Sequence, residues 1–403
     1  MVCGTRQPGP RPAASADPGP KSDDRDSYAT ADTHRDDDHA RSRAMSGLTS
    51  FLDEFDERDW QDADAADGPV RFAMVGVGWW VTDQAAPAVT ASELCETTVL
   101  VSRGKEKAAD AAADLGVEHG LSSEELRAGV AADDYDAVYV CTPNAAHLET
   151  VEAAAELGKP VLCEKPMEAS SERAEAMVEA CEAADVPLMV AYRMQTDPAV
   201  RRARELVAAG AIGDVAHVHG HMSQSLLRDI FPDPDQWRLN PDLAGPGASV
   251  TDLGVYPLNT TRFVLDADPL AVQSMLYSEH EGFEDVPDER AAFTVRFPDG
   301  VFASFSASQQ AHETGFLRIV GTEGEITLDP AFFNRNDAGL TVARGDQAAE
   351  IDFEPVDQME AEFDYFADRL LTGRDIYPDG AHGVTDIRAV EAVLAGETET
   401  RTL

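Results

Sequence analysis

Residues 70–81 read Val70-Arg71-Phe72-Ala73-Met74-Val75-Gly76-Val77-Gly78-Trp79-Trp80-Val81. An apolar run that ends on Gly-x-Gly predicts a buried strand turning sharply into a helix. Gly76 permits the tight turn, and Gly78 lets the backbone approach a pyrophosphate held at the helix N-terminus. Val81 stands where a third glycine would complete G-x-G-x-x-G, so the surroundings have to decide. Downstream, strand-like runs at 97–102, 137–141, 160–163 and 187–191 alternate with helical patterns at 105–115, 147–157 and 171–184. Continuous apolar strands alternating with helices predict an α/β domain with a doubly wound parallel Rossmann sheet over 70–191.

Beyond residue 191 the texture changes. A helix at 199–208 leads to a strand at 215–224, and a second helix is expected at 252–264. Strand-like segments then follow in direct succession at 271–277, 290–297, 301–308, 316–320 and 325–328, before helices at 359–371 and 386–394. Strands without intervening helices predict an α+β domain over 192–403 with an open, mainly antiparallel sheet. On the other side, residues 1–44 hold no Leu, Ile or Phe and cannot bury enough apolar surface to offset their ordering entropy. They read as a disordered tail, and the change of composition at Met45 raises it as an alternative start of translation. In the arm at 45–69, Leu48, Phe51, Leu52 and Phe55 fall at the spacing of a short amphipathic helix.

The chain carries 75 acidic against 32 basic residues, a formal charge of −43, and only five of its bases are lysines. Such a field repels phosphate backbones and anionic lipid, which argues against nucleic-acid and membrane partners. It suits molar salt, where the Debye length shrinks to roughly 3 Å and carboxylate repulsion is screened. Five cysteines without a C-x-x-C pair indicate neither a disulfide framework nor a zinc knuckle. With no secretory h-region, these features suit the cytoplasm.

Cofactor choice is read at the end of the second strand, Leu100-Val101-Ser102-Arg103-Gly104-Lys105-Glu106-Lys107. The acid that would bind the ribose 2′-hydroxyl of NAD is missing. Ser102, Arg103 and Lys107 could hold a 2′-phosphate instead, which favours NADP. Trp79 and Trp80 either shield the cofactor loop or fill a cleft edge. Two further motifs end strands: Cys141-Thr142-Pro143-Asn144 and Glu164-Lys165-Pro166. Ligands of open α/β sheets bind beyond the strands' carboxyl ends, so both face the same crevice. A lysine in an arginine-dominated chain suggests a need for a compact, orientable ammonium at Lys165. Asp252 and Tyr256, four apart on an expected helix, would share its face. Oxidising a hydroxyl needs a base, and a phenol serves as one only where a nearby cation favours its anion.

Gly76-x-Gly78, Thr142-Pro143-Asn144, His147, Glu164-Lys165-Pro166, Tyr192-Arg193 and Asp252-x-Gly254-x-Tyr256 occur in the order of the glucose–fructose oxidoreductase/inositol dehydrogenase (Gfo/Idh/MocA) family. The chain resembles that family from about 70 to 394. The resemblance implies that Lys165 is catalytic beside the nicotinamide, that Asp252 contacts substrate and that Tyr256 completes the set as general base. It implies cofactor contacts for Thr142, Asn144, His147 and Glu164, and packing on the cofactor for Arg193, Trp237 and Arg238. Within the family, the acidic composition, Trp237-Arg238 and the 252–262 stretch resemble a halophilic branch that oxidises D-xylose at C1 to the lactone with NADP. A homo-oligomer, dimer or tetramer, formed through the C-terminal sheet is expected.

Other readings stay open at this level: an enzyme that retains its cofactor and cycles between two sugars, a dihydrodiol dehydrogenase, or a non-catalytic sugar or nucleotide sensor on the same fold. Val81 in the cofactor loop and Pro246 in Gly245-Pro246-Gly247 depart from the family pattern. His217, His219 and His221 share one face of a strand, but their spacing matches no catalytic metal signature, and no metal is expected.

Overall fold

The computed structural model describes residues 47–52, 55–333, 339–396 and 401–402; the tail at 1–44 lies outside the described residues. The first sheet holds β1 (Val70–Val75), β2 (Cys95–Ser102), β3 (His119–Ser122), β4 (Ala137–Val140), β5 (Val161–Glu164) and β6 (Leu188–Ala191). Its order is β3-β2-β1-β4-β5-β6, and all its pairings are parallel. This is the doubly wound order, whose switch point lies between β1 and β4.

Both faces of β1 are buried from Phe72 to Val75, as that apolar run requires. Phe72 and Met74 point into one apolar cluster, and Ala73 and Val75 into the other. The Phe72 side is closed by a late segment of the chain, the helix Gln358–Thr372. Phe363 of that helix packs edge-on against Phe72 at 5.1 Å and Tyr139 at 4.9 Å.

The second sheet contains β7 (Val215–Ser225), β8 (Ala271–Tyr277), β9 (Arg290–Arg296), β10 (Phe302–Ser308), β11 (Gln310–Gly321), β12 (Gly324–Leu328), β13 (Leu340–Arg344), β14 (Gln347–Ile351) and β15 (Arg401–Thr402). Their order is β14-β13-β12-β11-β7-β10-β9-β8-β15. It is antiparallel throughout except where β7 and β10 run parallel. Ala291, Phe293 and Val295 alternate inward along β9 while their neighbours face solvent, so the sheet is packed on one side only. The helix Val255–Leu265 lies on the packed side, close enough that a Cβ at Gly220 would meet Pro257 at 2.8 Å.

The arm preceding β1 makes one 3₁₀ turn, Leu48–Phe51, shorter than the helix its spacing suggested. Leu48 N–H donates to Gln347 Oε1 beside the second sheet. Farther on, Asp368 of the Gln358–Thr372 helix accepts from the backbone N–H groups of Asp62 and Ala63. Other departures from the sequence reading have local causes. β3 is short and carries a His-Gly pair instead of an apolar run. The last helix spans Gly380–Ala395, six residues earlier than expected. Its signal is masked by Gly380 and Gly383, where a Cβ would meet Val178 at 2.8 Å and Met167 at 2.6 Å. Helix packing, not a turn, demands those glycines.

Candidate active site at the carboxyl edge of the first sheet

Gly76 leaves β1 at φ +106°, and a Cβ there would lie 2.1 Å from the Cys141 carbonyl oxygen. A Cβ at Gly78 would meet nothing nearer than the Gly76 carbonyl at 3.9 Å, so open space lies over its backbone. The helix that follows widens into a π-turn at Val81–Ala85, starting at the valine in place of the third glycine. Val81 is fully buried there.

The β4 and β5 tips supply the rest of the crevice. The Thr142 hydroxyl is buried without a partner among the described residues. Asn144 Nδ2 donates to the Ala244 carbonyl from the loop before Gly245. That loop is held tightly: a Cβ at Gly245 would meet the Ala169 oxygen at 2.8 Å, and one at Gly247 would meet Leu394 at 2.7 Å. Glu164 accepts through Oε1 from Trp80 Nε1 at 3.1 Å and from the Tyr139 hydroxyl at 2.6 Å. Trp80 thereby ties the glycine loop to the Glu-Lys-Pro turn, whereas Trp79 is 47% exposed and meets Phe231 edge-on.

Lys165, Asp252 and Tyr256 come together. Lys165 Nζ donates to Asp252 Oδ1 at 3.1 Å and to the Asp252 carbonyl at 3.2 Å, and lies 4.6 Å from the centre of the Tyr256 ring. Asp252 sits in a π-turn, Val250–Gly254, that runs into the Val255–Leu265 helix and keeps Tyr256 one turn away. The start of this segment is pinned by Asp288, whose carboxylate accepts from Ala248 N and Val250 N at 2.7 Å each. Burial alone would lower the Lys165 ammonium, but the fields of Tyr256, Asp252 and Glu164 outweigh it and hold the group above the usual lysine value. Burial likewise pushes Asp252 upward. Lys165, Arg238 and a hydrogen bond from Gln309 reverse this, so the carboxyl stays below the usual range.

The other expected residues fall into two groups. Ser102, Arg103 and Lys107 stand at the β2 tip; both bases are exposed, and neither enters an ion pair among the described residues. Lys105, between them, is spent on Glu125. Arg238 lies over the Trp237 ring at 4.5 Å and the Phe231 ring at 4.7 Å, with Nε 3.8 Å from Asp252 Oδ2. His147 and Arg193 are engaged elsewhere. His147 is wholly buried, its ring nitrogens 2.9 Å from the Thr142 carbonyl and 3.0 Å from the Met167 carbonyl, where it braces two strand-tip loops. Arg193, expected against the cofactor, lies behind Tyr256. Its Nη2 donates to the Tyr256 hydroxyl at 3.2 Å, and the guanidinium also bonds Gln358 Oε1 and the Phe332 carbonyl. The reason is reach: the 3₁₀ turn Arg193–Gln195 directs the side chain into the core between two helices.

Sequence reasoning missed Gln309 and Gln358. Gln309 is fully buried; its Nε2 donates to Asp252 Oδ2 at 2.8 Å and its Oε1 accepts from Gln224. The signal was a polar Gln309-Gln310 pair between two apolar strands. His217 and His219 stack at 6.3 Å on β7, while His221 bonds Ser306 and Ser223. Among the described residues no group of three or more His, Cys, Asp or Glu is arranged to hold a metal ion.

A dinucleotide fits these residues. The Gly76 turn permits no side chain, the Gly78 backbone is open, the Thr142 hydroxyl awaits a partner, and two unpaired bases flank the β2 tip.

Comparison with known proteins agrees. Residues 70–192 match the family described as "Oxidoreductase family, NAD-binding Rossmann fold" (GFO_IDH_MocA), and residues 200–327 match the GFO/IDH/MocA C-terminal domain. The chain is 56% identical to a D-xylose 1-dehydrogenase [NADP(+)] of Haloarcula marismortui, over 86% of this chain and 96% of that protein. It is 33% identical to D-xylose 1-dehydrogenase (NADP(+)) 2 of Haloferax volcanii, over 80% and 96% respectively. The crystal structure of an aldose-aldose oxidoreductase from Caulobacter crescentus superimposes with a TM-score of 0.77 at 30% identity, covering 83% of this chain and all of that one.

Proposed function

The chain belongs to the Gfo/Idh/MocA oxidoreductase family, and from that premise we infer that it oxidises D-xylose at C1 to the lactone with NADP as hydride acceptor. The observation that carries the chemistry is the Lys165 ammonium, fixed at a strand tip between the Asp252 carboxylate and the Tyr256 ring.

The Gly76–Gly78 turn, Thr142 and the bases at the β2 tip would hold NADP, which when bound would supply the hydride acceptor. The protein's own residues handle the proton. Acting as the phenolate, Tyr256 Oη accepts it from the C1 hydroxyl and becomes the phenol as hydride leaves the carbon. Negative charge on that oxygen is opposed by two cations, Lys165 over the ring and Arg193 donating to the hydroxyl. Lys165 also donates to the reacting sugar oxygen, and Asp252 orients the sugar. Gln309 and Arg238 keep the Asp252 carboxylate aimed, since its Oδ2 faces both. The Phe231–Arg238–Trp237 stack shields the site from water.

Tyr256→Phe tests this assignment. It removes the proton acceptor while keeping the ring, so kcat falls roughly 10²–10⁴-fold with NADP affinity unchanged. Retained turnover would move the base elsewhere. The likeness to an aldose-aldose oxidoreductase favours a second reading, in which NADP stays bound and is recycled by a second sugar. NADP that survives gel filtration would support it.

The solvated side of the second sheet exposes Met275, Tyr277 and Phe302, a surface suited to contact between copies of the chain. We assign it to a homo-oligomer, which sedimentation in molar salt tests. The acid excess suits the cytoplasm of a salt-accumulating cell and disfavours nucleic-acid partners. No helix among the described residues is long and apolar enough to cross a membrane.

A further inference from the structure

Behind Tyr256 the helix Gln358–Thr372 carries a second acid that the mechanism does not use. Glu362 is 1% exposed, and neither of its carboxyl oxygens has a hydrogen-bond partner among the described residues. It lies one turn beyond Gln358, the residue that accepts from Arg193 Nη1, and so shares that face of the helix. Arg193 Nε is likewise buried without an acceptor among the described residues. Among the described residues, an unpaired acid and an unpaired guanidinium donor thus stand on neighbouring elements, both buried, the acid within the field of the guanidinium. Four other groups bear on Glu362. Glu164 and Tyr139 act from the first sheet, and Lys165 and Arg193 add positive fields.

A buried carboxylate without a hydrogen-bonding partner from the protein is costly, by several kcal/mol per ion in real proteins. The neutral acid avoids that cost, and burial together with the Glu164 charge outweighs the opposing fields of Arg193 and Lys165. While Glu362 is neutral, it does not compete with Tyr256 for Arg193, which also lies in the field of the buried Asp197. Once it ionises, the Arg193 guanidinium has a buried anion to pair with.

We propose that Glu362 is a positioning residue: in its protonated form it leaves Arg193 on the Tyr256 hydroxyl, and on ionisation it draws Arg193 away and lowers turnover. The step is a proton lost to solvent as pH rises, with no other bond made or broken. The proposal rests on Tyr256 as proton acceptor.

Its test has two arms on the NADP-loaded enzyme. The first compares pH profiles of kcat for the wild type and Glu362→Gln, which cannot ionise. The alkaline fall of the variant should come later by about one pH unit or more. Coincident profiles would overturn the proposal. The second is the infrared difference spectrum between the two proteins at neutral pH, which does not depend on turnover. A lost band of a protonated carboxylic acid is expected, and a lost carboxylate band would overturn the proposal even if the Gln variant folds poorly. Failure of the Tyr256 assignment would show separately, as turnover retained in Tyr256→Phe.

Discussion

Arg193 donates through Nη2 to the Tyr256 hydroxyl at 3.2 Å, while its guanidinium carbon stands 5.0 Å from the centre of the same ring. Lys165 addresses that ring too, at 4.6 Å. Two cations on one phenol imply distinct losses when each is removed.

Arg193→Lys keeps a positive charge but cannot serve Tyr256, Gln358 and the Phe332 carbonyl together, because an ammonium lacks the planar fork. Steady-state kinetics should show kcat reduced by about 10²-fold or more with KM for the sugar nearly unchanged. A rise in KM alone would place Arg193 in substrate binding instead.

Arg103 and Lys107 are exposed and free of ion pairs among the described residues, in a chain of formal charge −43. Replacing Arg103 with Glu should raise KM for NADP by about 10–100-fold, the worth of one charge-assisted hydrogen bond. Turnover with NAD should be affected far less. Equal losses with both cofactors would remove the 2′-phosphate from this end of β2.

Much of this was legible in the residues. The run from Val70 to Gly78 and the Glu-Lys-Pro turn report backbone demands and strand ends, which local sequence encodes directly. Lys165, Asp252 and Tyr256 were named from motifs, and the structure brings them together. What escaped depends on the fold. Arg193 could not be placed behind Tyr256 without knowing that the Gln358–Thr372 helix returns to the first sheet. Nor could Glu362, set beside the buried run of Met359, Phe363 and Phe366, be told from an ordinary surface acid. His147 was read toward the cofactor because motif order says nothing about which way a ring faces.

His382 gives a pH dependence of stability. Its Nε2 accepts from Asn259 Nδ2 at 2.7 Å, and Nδ1 pairs with the Tyr377 hydroxyl at 2.8 Å. Burial pushes it down from 6.5 to about 4 in spite of Asp386. The folded state therefore resists a proton that the unfolded chain accepts. Its stabilising share is complete above pH 6.5 and is lost as pH falls towards 4, by about 3 kcal/mol. Thermal unfolding at fixed salt should show His382→Asn less stable at pH 7 and less sensitive to acid over that window. A slope identical to wild type would contradict this.

Charge repulsion makes salt part of the fold. Unfolding temperatures should climb as KCl is raised to molar levels, because screening relieves the excess of 75 acids over 32 bases. An unfolding temperature that does not change with salt would contradict the reading of the surface.

The most direct test of the account is NADP reduction in molar KCl, scanned over D-xylose, L-arabinose, D-ribose, D-glucose and myo-inositol, with Lys165→Ala alongside. D-xylose should turn over ahead of the others, and the variant should lose that turnover with NADP still bound. No turnover on any sugar by a wild type that binds NADP would contradict it, as would a Lys165→Ala enzyme of undiminished kcat.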